Sequence, residues 1–342
     1  MKIIVTGGLG YIGSHVTILL LELGHQVIIA DNLSNSSPTV LKRIETITKQ
    51  APDFEELDLK KKNDVDALFL KHKNIDGLIH FAALKAVGES VEAPLKYYEN
   101  NLHSLIYLLD QLVFLQIPLV FSSSCTVYGE PDQVPIGESA PLKPATSPYG
   151  ATKQMAEQII QDVCAANSNF NTILLRYFNP IGAHPSALIG EIPQGVPANL
   201  VPYLTQTAIG IRDQLKVFGA DYATPDGSCI RDYIHVMDLA QAHINSLEFI
   251  WSKKNQSNCE IFNLGTGRGN SVLELITTFE KATNQKVNYQ ITQRRPGDIM
   301  QAYANPTKAM KMLDWKANFS LEEALLSAWE WEKQWQRENI KP

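Results

Sequence analysis

The feature that most constrains the fold of this chain is a cluster of glycines close to its N-terminus. The apolar residues Ile3 to Val5 lead into the run Gly7-Gly8-Leu9-Gly10-Tyr11-Ile12-Gly13, and a helical stretch from Tyr11 to Leu23 follows. Glycines at such a junction let the backbone turn sharply and approach a pyrophosphate, whose charge then faces the N-terminus of the helix. The run by itself would also fit an ordinary tight turn. Its position between a strand and a helix favours a dinucleotide-binding loop.

Short apolar strands and longer helices alternate through the rest of the first half. Further strands are predicted at Val27 to Ala30, Leu78 to Ala82, Leu119 to Ser122 and Thr172 to Arg176, and helices at Val40 to Gln50, Asp64 to His72, Tyr97 to Leu115 and Tyr149 to Ala166. Continuous apolar strands that are each followed by a helix are typical of a parallel sheet covered on both faces. We therefore predict an α/β fold, a Rossmann-type doubly wound parallel sheet with a second, smaller mixed α/β substrate domain.

A change in composition marks the boundary between these two domains. The stretch from Asn179 to Pro202 is rich in Pro, Gly and Ala, which indicates a crossing out of the first domain. We predict that residues 1-180 form the dinucleotide-binding domain, rejoined by about 232-263, and that residues 181-342 form the substrate domain.

Charge and hydropathy exclude several classes of protein. The formal net charge of -6 provides no basic surface for a nucleic acid, although local arginines can still bind a small anion. The four cysteines form no CxxC pair, which favours reduced thiols over disulfides and predicts no metal site. The most apolar segment, Val16 to Ala30, is interrupted by Glu22, Gly24 and His25, and the N-terminus lacks the apolar length of a signal peptide. We expect a cytoplasmic protein with no nucleic acid or membrane partner.

Asp31 at the end of the second predicted strand selects the cofactor. A carboxylate there can accept hydrogen bonds from both hydroxyls of the adenosine ribose and would repel a 2′-phosphate. The residues that follow, Asn32 to Ser36, include no arginine. The pattern therefore favours NAD over NADP.

A serine run and a Tyr-x-x-x-Lys pair supply candidate catalytic groups. Ser122-Ser123-Ser124 follows an apolar strand, whose carboxyl end faces the ligand crevice of a parallel sheet. Tyr149 opens a helix after Ser147-Pro148, residues that suit the cap and the first helical position. Lys153 follows four residues later on the same helical face.

These groups suit the removal of a proton from a sugar hydroxyl while hydride leaves the carbon that bears this hydroxyl. A free tyrosine titrates near pH ~10, but a neighbouring ammonium and a positive nicotinamide ring favour the phenolate and should lower its pKa. Among 12 tyrosines one such pair carries little weight alone. Together with the glycine run and the serine strand end, it predicts Ser124, Tyr149 and Lys153 as catalytic residues.

The chain closely resembles the UDP-glucose 4-epimerase family of extended short-chain dehydrogenases/reductases. The resemblance covers nearly the whole chain and is carried by TGGxGYIGSH at Thr6 to His15, DNLSNS at Asp31 to Ser36, HFAALKAVGES at His80 to Ser90, SSSCTVYG at Ser122 to Gly129, SPYGATK at Ser147 to Lys153, LLRYFNPIGAHPS at Leu174 to Ser186 and RDYIHVMDLA at Arg231 to Ala240.

The resemblance implies the interconversion of UDP-glucose and UDP-galactose. Tyr149 as phenolate would remove the 4-hydroxyl proton, hydride would pass to bound NAD, and the resulting 4-keto sugar would turn over and receive the hydride on its other face. A UDP-hexose substrate and a homodimer are also implied, with residues 181-342 as the UDP-sugar-binding domain.

The resemblance also implies two sets of binding residues. The cofactor set comprises Gly7, Gly10, Tyr11, Ile12, Gly13, Asp31, Asn32, Asn35, Ser36, Asp58, Leu59, Phe81, Ala82, Lys85, Asn100, Ser122, Tyr149, Lys153, Tyr177 and Phe178. The substrate set comprises Ser124, Tyr149, Asn179, Asn199, Leu200, Phe218, Arg231, Tyr233, Arg295, Asp298 and Ala302. The residue types suit a nucleotide, since the two arginines can pair with a diphosphate, an aromatic ring can contact uracil and a carboxylate can bind ribose hydroxyls.

Ala302 is a departure that bears on the substrate. The aligned position is a bulky tyrosine in some family members and a small residue in others, and the small residue is associated with N-acetylated sugars. We therefore expect room for UDP-N-acetylglucosamine and UDP-N-acetylgalactosamine. Cys125, where relatives often carry alanine, is a second departure.

Two other functions are compatible with the same fold. A nucleotide-sugar 4,6-dehydratase shares the opening hydride transfer, but it commonly carries an Asp-Glu pair where this chain has Cys125 and Thr126. A non-catalytic NAD-binding protein would be expected to have lost Ser124, Tyr149 or Lys153, and all three are present.

Overall fold

Strands and helices alternate along most of the chain. The structure is a computed structural model that describes residues 1–295 and 297–339. The strands are β1 (Lys2–Thr6), β2 (Gln26–Asp31), β3 (Asp53–Glu56), β4 (Gly77–His80), β5 (Leu119–Ser124), β6 (Thr172–Tyr177), β7 (Asn179–Ile181), β8 (Leu215–Phe218), β9 (Ile230–Arg231), β10 (Tyr233–His235), β11 (Cys259–Leu264), β12 (Asn270–Ser271), β13 (Tyr289–Thr292) and β14 (Gln301–Ala302). The helices are α1 (Tyr11–Glu22), α2 (Pro38–Thr48), α3 (Lys62–Lys71), α4 (Val87–Glu92), α5 (Pro94–Leu115), α6 (Pro148–Ala166), α7 (Leu200–Ala208), α8 (Val236–Trp251), α9 (Val272–Thr283), α10 (Thr307–Met312) and α11 (Leu321–Asn339).

Seven strands form one parallel sheet, in the order β3-β2-β1-β4-β5-β6-β11. This confirms the predicted Rossmann-type α/β fold. Strand order reverses beside β1, so the carboxyl ends of β1 and β4 border a crevice of the kind that binds ligands in open parallel sheets. The edge strand β3 escaped prediction because its sequence Asp-Phe-Glu-Glu is mostly polar and only partly buried. Strand β4 ends at His80, two residues before the predicted end at Ala82.

Alternating side chains of the central strand explain why helices cover both faces of this sheet. Ile3 and Val5 pack in one apolar cluster with Val16 of α1. Ile4, between them, packs in a second cluster with Leu108 of α5 and Ile160 of α6. Successive residues of a strand point to opposite faces, so a strand that is apolar throughout requires a cover on each side.

The later part of the chain adds smaller sheets around a further apolar cluster. β7 pairs with β10, β8 pairs with β13, and β9 lies between β12 and β14. Ile181, Leu204 of α7, Leu275 of α9 and Leu325 of α11 form the core of this region. The division into domains 1-180 and 181-342, with a return at 232-263, stays a prediction, and residues 340–342 lie outside the described part.

A buried ion pair joins helix α6 to strand β6. Arg176 donates from Nε and Nη2 to the carboxylate of Glu157, with nitrogen–oxygen distances of 2.5 to 3.1 Å. The two side chains are only 3% and 0% exposed. Ser123 of β5 donates its hydroxyl to the same carboxylate at 2.5 Å. The pair therefore sets the position of α6 against the two strands beneath it.

Glu157→Ala should destabilise the protein strongly. Removing one partner of a buried ion pair leaves the other charge uncompensated, which typically costs about 3–5 kcal/mol. Urea unfolding measures the change in the free energy of unfolding. Lys62→Ala is the control, because its ion pair with Asp66 is solvent-exposed and should contribute little. Equal unfolding curves for parent and Glu157→Ala would contradict the prediction.

Candidate active site

The glycine run forms a backbone cradle between β1 and α1. Gly7 has a φ of +65°, and a Cβ placed there would lie 2.8 Å from the backbone nitrogen of Ala82. A Cβ on Gly13 would lie 2.3 Å from the carbonyl oxygen of Gly7. Gly10 caps α1 without a side-chain hydrogen bond. The shape fits a pyrophosphate, because only glycines allow such close approach and the helix N-terminus faces the loop.

The carboxylate of Asp31 braces this cradle from the neighbouring strand. Its oxygens accept hydrogen bonds from the backbone nitrogens of Leu9, at 3.1 Å, and Leu33, at 2.9 Å. A third bond comes from the Ser36 hydroxyl, at 2.8 Å. Asp31 therefore joins the glycine loop to the loop of residues 32–36, and the predicted residues Asn32 and Asn35 lie exposed on that second loop.

Ser124, Tyr149 and Lys153 are all nearly buried around the carboxyl end of β5. They are 7%, 7% and 5% exposed. The Ser147 side chain caps α6 by accepting a hydrogen bond from the backbone nitrogen of Gly150, as its sequence context predicts. Lys153 donates its ammonium to the carbonyl oxygen of Ser122 at 2.7 Å. This bond ties α6 to the end of the strand that carries the serines.

Burial governs the ionisation of these groups. It raises the pKa of Tyr149, with Tyr177 adding to the effect and a hydrogen bond with Ser124 opposing it. It lowers the pKa of Lys153 to about 8, against the opposing charge of Glu157. The protein's own groups thus shift the pKa of Tyr149 in the direction opposite to the expected lowering, because desolvation of the phenolate outweighs the favourable contacts.

The other predicted cofactor residues lie on neighbouring loops and strand ends. Tyr177 ends β6, and its hydroxyl accepts a hydrogen bond from Ser122 at 2.9 Å. Phe81 and Ala82 follow β4, where the backbone of Ala82 approaches Gly7. The remaining members are less directly connected to the cradle. Leu59 and Phe178 are buried. The Asp58 carboxylate accepts a hydrogen bond from the backbone nitrogen of Lys60, and the side-chain amide of Asn100 donates one to the side chain of Asn101.

Seven of the predicted substrate residues fall into two groups. In one, Arg295 pairs with Asp298 at 2.7 Å, and its guanidinium lies 5.4 Å from the centre of the Phe218 ring. In the other, short strands place Arg231 of β9 beside Ala302 of β14, and Asn179 of β7 beside Tyr233 of β10. Each group thus assembles residues that are far apart in sequence. Pro296, inside the Arg295 to Asp298 motif, lies outside the described residues.

Glu191 connects the predicted cofactor set with the predicted substrate set, although it was not among the residues predicted from the sequence. One carboxylate oxygen accepts hydrogen bonds from Lys85, at 3.0 Å, and from the side-chain amide of Asn199, at 2.7 Å. Asn199 is the capping residue of α7, and Leu200 begins that helix. No local motif marks Glu191, since both partners come from other parts of the chain.

Comparison with known proteins places this arrangement in a family. A protein-family model described as GDP-mannose 4,6 dehydratase matches residues 4–327. UDP-glucose 4-epimerase of Dictyostelium discoideum is 51% identical over 332 residues, which cover 97% of this chain and 95% of that protein. The enzyme of the same name from Bacillus subtilis (strain 168) is 49% identical over 333 residues, with 97% of both chains covered. The chain belongs to the UDP-glucose 4-epimerase family.

A solved structure agrees with this membership. The crystal structure of UDP-glucose 4-epimerase from Bifidobacterium longum in complex with NAD+ and UDP has a TM-score of 0.93 to this chain at 45% identity, and 99% of each chain is covered. The broader family model carries a dehydratase's description, but these relatives are epimerases. The dehydratase alternative is therefore not favoured.

In residues 1–295 and 297–339, no three or more His, Cys, Asp or Glu side chains are grouped so that they could hold a metal ion. None of the helices in these ranges combines the length and apolar character needed to cross a bilayer.

Gly13→Ala should strongly reduce the retention of NAD by the glycine loop. The added methyl group would overlap the Gly7 carbonyl, so the loop must shift away from the geometry that fits a pyrophosphate. NAD released from the purified, denatured protein measures retention, which should fall well below that of the parent. Gly88→Ala in α4 is the control, because a Cβ there meets no heavy atom within 4 Å. A full complement of NAD in Gly13→Ala would show that the cradle does not hold the cofactor.

Proposed function

We propose that this protein interconverts UDP-glucose and UDP-galactose, with NAD bound in the glycine cradle and Tyr149 as the acid–base residue. The observation that carries the proposal is the convergence of Ser124, Tyr149 and Lys153 at the carboxyl end of β5, in a chain of the epimerase family. When bound in the glycine cradle, NAD would supply the acceptor and donor of hydride for carbon 4 of the sugar.

The chain's own residues favour NAD as the resident cofactor. Gly7, Gly10 and Gly13 leave space for the pyrophosphate, and α1 directs its N-terminus toward that charge. Asp31 stands at the end of β2, where its carboxylate would bind ribose hydroxyls and repel a 2′-phosphate. These groups hold and orient the cofactor.

Tyr149 moves the proton that accompanies hydride transfer. Its phenolate oxygen takes the proton from the 4-hydroxyl of one sugar, and the resulting hydroxyl returns the proton to the same sugar oxygen as the other sugar forms. Ser124 hydrogen-bonds that sugar oxygen. Burial opposes the phenolate, so ionisation depends on positive charge brought close to the oxygen. Lys153 supplies part of that charge, and an oxidised nicotinamide ring supplies the rest.

The substrate set separates firm nucleotide binding from loose sugar binding. Arg231 and Arg295 pair with the diphosphate, Phe218 contacts uracil and Asp298 binds the ribose. Arg295 is paired with Asp298, and its guanidinium lies over the Phe218 ring. A nucleotide held in this way lets the oxidised hexose turn over without leaving the protein.

Purified protein should convert UDP-galactose to UDP-glucose without added NAD, and Tyr149→Phe should lower this turnover by roughly 10²–10⁴-fold. The variant lacks the hydroxyl that transfers the proton but keeps the ring, so UDP binding should change little. Product sugars are measured by chromatography. Tyr107→Phe removes a hydroxyl from α5, outside the proposed site, and serves as the control. Near-normal turnover in Tyr149→Phe would show that another group is the base.

We also propose that the protein accepts the N-acetylated pair, UDP-N-acetylglucosamine and UDP-N-acetylgalactosamine. The supporting observation is the small side chain of Ala302, which lies beside Arg231 and shares a buried cluster with Phe178. A larger side chain at this position would occupy space beside the proposed sugar site.

Ala302→Tyr should remove activity on the N-acetylated pair and retain activity on the plain pair. The tyrosine ring would fill the volume that the acetamido group needs, while the smaller hexose still fits. Turnover of both sugar pairs is compared in parent and variant, with the plain pair as the internal control. If the parent turns over only the plain pair, the broader specificity is wrong.

A homodimer and a cytoplasmic location complete the proposal. Helices α4, α5 and α6 pack on one another and expose the apolar side chains Val91, Leu95 and Met155, which a second copy of the chain would cover. The four cysteines are free thiols, which agrees with a reducing compartment.

A further inference from the structure

We propose that Asp232 is a positioning residue that holds the UDP-binding strands in register. The inference rests on the proposed function, because it concerns the site assigned to the nucleotide. Asp232 stands between Arg231 and Tyr233, two members of the substrate set, and its exposed fraction is 0%. It was not among the residues that the sequence singled out.

The carboxylate of Asp232 is bonded at both oxygens. Oδ1 accepts from the backbone nitrogen of Thr266, at 2.8 Å, and from the Thr266 hydroxyl, at 2.7 Å. Oδ2 accepts from the backbone nitrogens of Gly267, at 3.2 Å, and Ala304, at 3.1 Å. A carboxylate offers about four lone-pair sites, so this one is fully used by donors from two other segments.

The backbone of the same residue reaches the rest of the proposed UDP site. Its nitrogen donates to the carbonyl oxygen of Ala302 at 3.1 Å, and its carbonyl oxygen accepts from the nitrogen of Asn179 at 2.9 Å. With its neighbours Arg231 and Tyr233, Asp232 is therefore linked to four positions of the substrate set. β7, β9, β10 and β14 all meet at this residue.

The burial of the Asp232 carboxylate requires a physical explanation. A buried carboxylate is costly unless it is fully hydrogen-bonded, and apolar packing would often stabilise a core equally well. Apolar contacts are not directional, whereas hydrogen bonds are. The four donors to the two Asp232 oxygens therefore set the spacing between the backbone at Asp232, the segment of Thr266 and Gly267, and Ala304. A Cβ on Gly265 would lie 2.4 Å from Oδ2, so the loop after β11 approaches the carboxylate as closely as a glycine permits.

We expect that loss of the Asp232 contacts affects nucleotide binding only. Two-residue strands such as β9 and β14 have few ladder bonds of their own, so the placement of Arg231 against Ala302 depends on the Asp232 contacts. The NAD cradle and the Tyr149 helix are built on other elements. Loosening Asp232 should weaken UDP binding and leave NAD retention and the proton-transfer step nearly intact.

Asp232→Asn is the test. The amide keeps the shape of the side chain but turns one acceptor into a donor that faces backbone N–H groups, which should weaken UDP binding roughly tenfold. UDP affinity is measured by calorimetry, and the KM for UDP-galactose should rise in parallel. The kcat and the NAD released on denaturation should stay within about twofold of the parent.

Asp238→Asn is the matched control. Asp238 is also a buried aspartate of the same region, 3% exposed, and it accepts hydrogen bonds from the backbone nitrogens of Asn318 and Phe319, both at 3.0 Å. Both variants should lose stability in urea, but only Asp232→Asn should lose UDP affinity. An equal loss of UDP affinity in the two variants, or none in Asp232→Asn, overturns the positioning role.

Two further measurements keep the test decisive. If Asp232→Asn does not fold, Thr266→Ala removes one donor to the same carboxylate and should weaken UDP binding roughly threefold; unchanged binding then overturns the inference. If the parent protein itself fails to bind UDP, the proposed function and this inference fall together. If the parent binds UDP and Arg231→Ala weakens binding while Asp232→Asn does not, the inference alone fails.

Discussion

The ammonium of Lys153, buried and bonded to the carbonyl oxygen of Ser122, joins helix α6 to the end of strand β5. Tyr149 stands one turn earlier on α6 and Glu157 one turn later, so this bond and the Glu157–Arg176 pair hold the helix at two levels. The tyrosine hydroxyl and the Ser124 hydroxyl are thereby brought together beneath the crevice. The same burial raises the pKa of Tyr149.

Around this centre, the two halves of the proposed site are built by different means. The cofactor side uses a continuous parallel sheet, in which glycines permit close backbone approach and Asp31 braces the loop. The substrate side uses very short strands, which are held by buried or half-buried carboxylates. The Asp232 carboxylate accepts hydrogen bonds from two other segments, and Glu191 links Lys85 on one side to Asn199 on the other. Side-chain hydrogen bonds there take over the role that ladder bonds have in the large sheet.

Local patterns predicted most elements of the first half, because most of these strands and helices carry their own apolar periodicity. The Ser147 cap and the strand that ends in Ser124 are both where the sequence places them. β3 escaped because most of its residues are polar. Glu191 escaped because its two partners come from residues far from it in sequence, which no local pattern can join. The direction of the Tyr149 pKa also escaped, since desolvation depends on the packing of the whole crevice.

The sequence alone determined the class of fold and the kind of chemistry. A short stretch of sequence is enough to show each of these features: the glycine spacing, the apolar strands and the interval from Tyr149 to Lys153. The tertiary structure decided which distant residues share one oxygen, how completely each ionisable group is removed from water, and how the short strands of the substrate side are aligned. Those properties arise from long-range contacts, whose partners and distances are set only when the chain is folded.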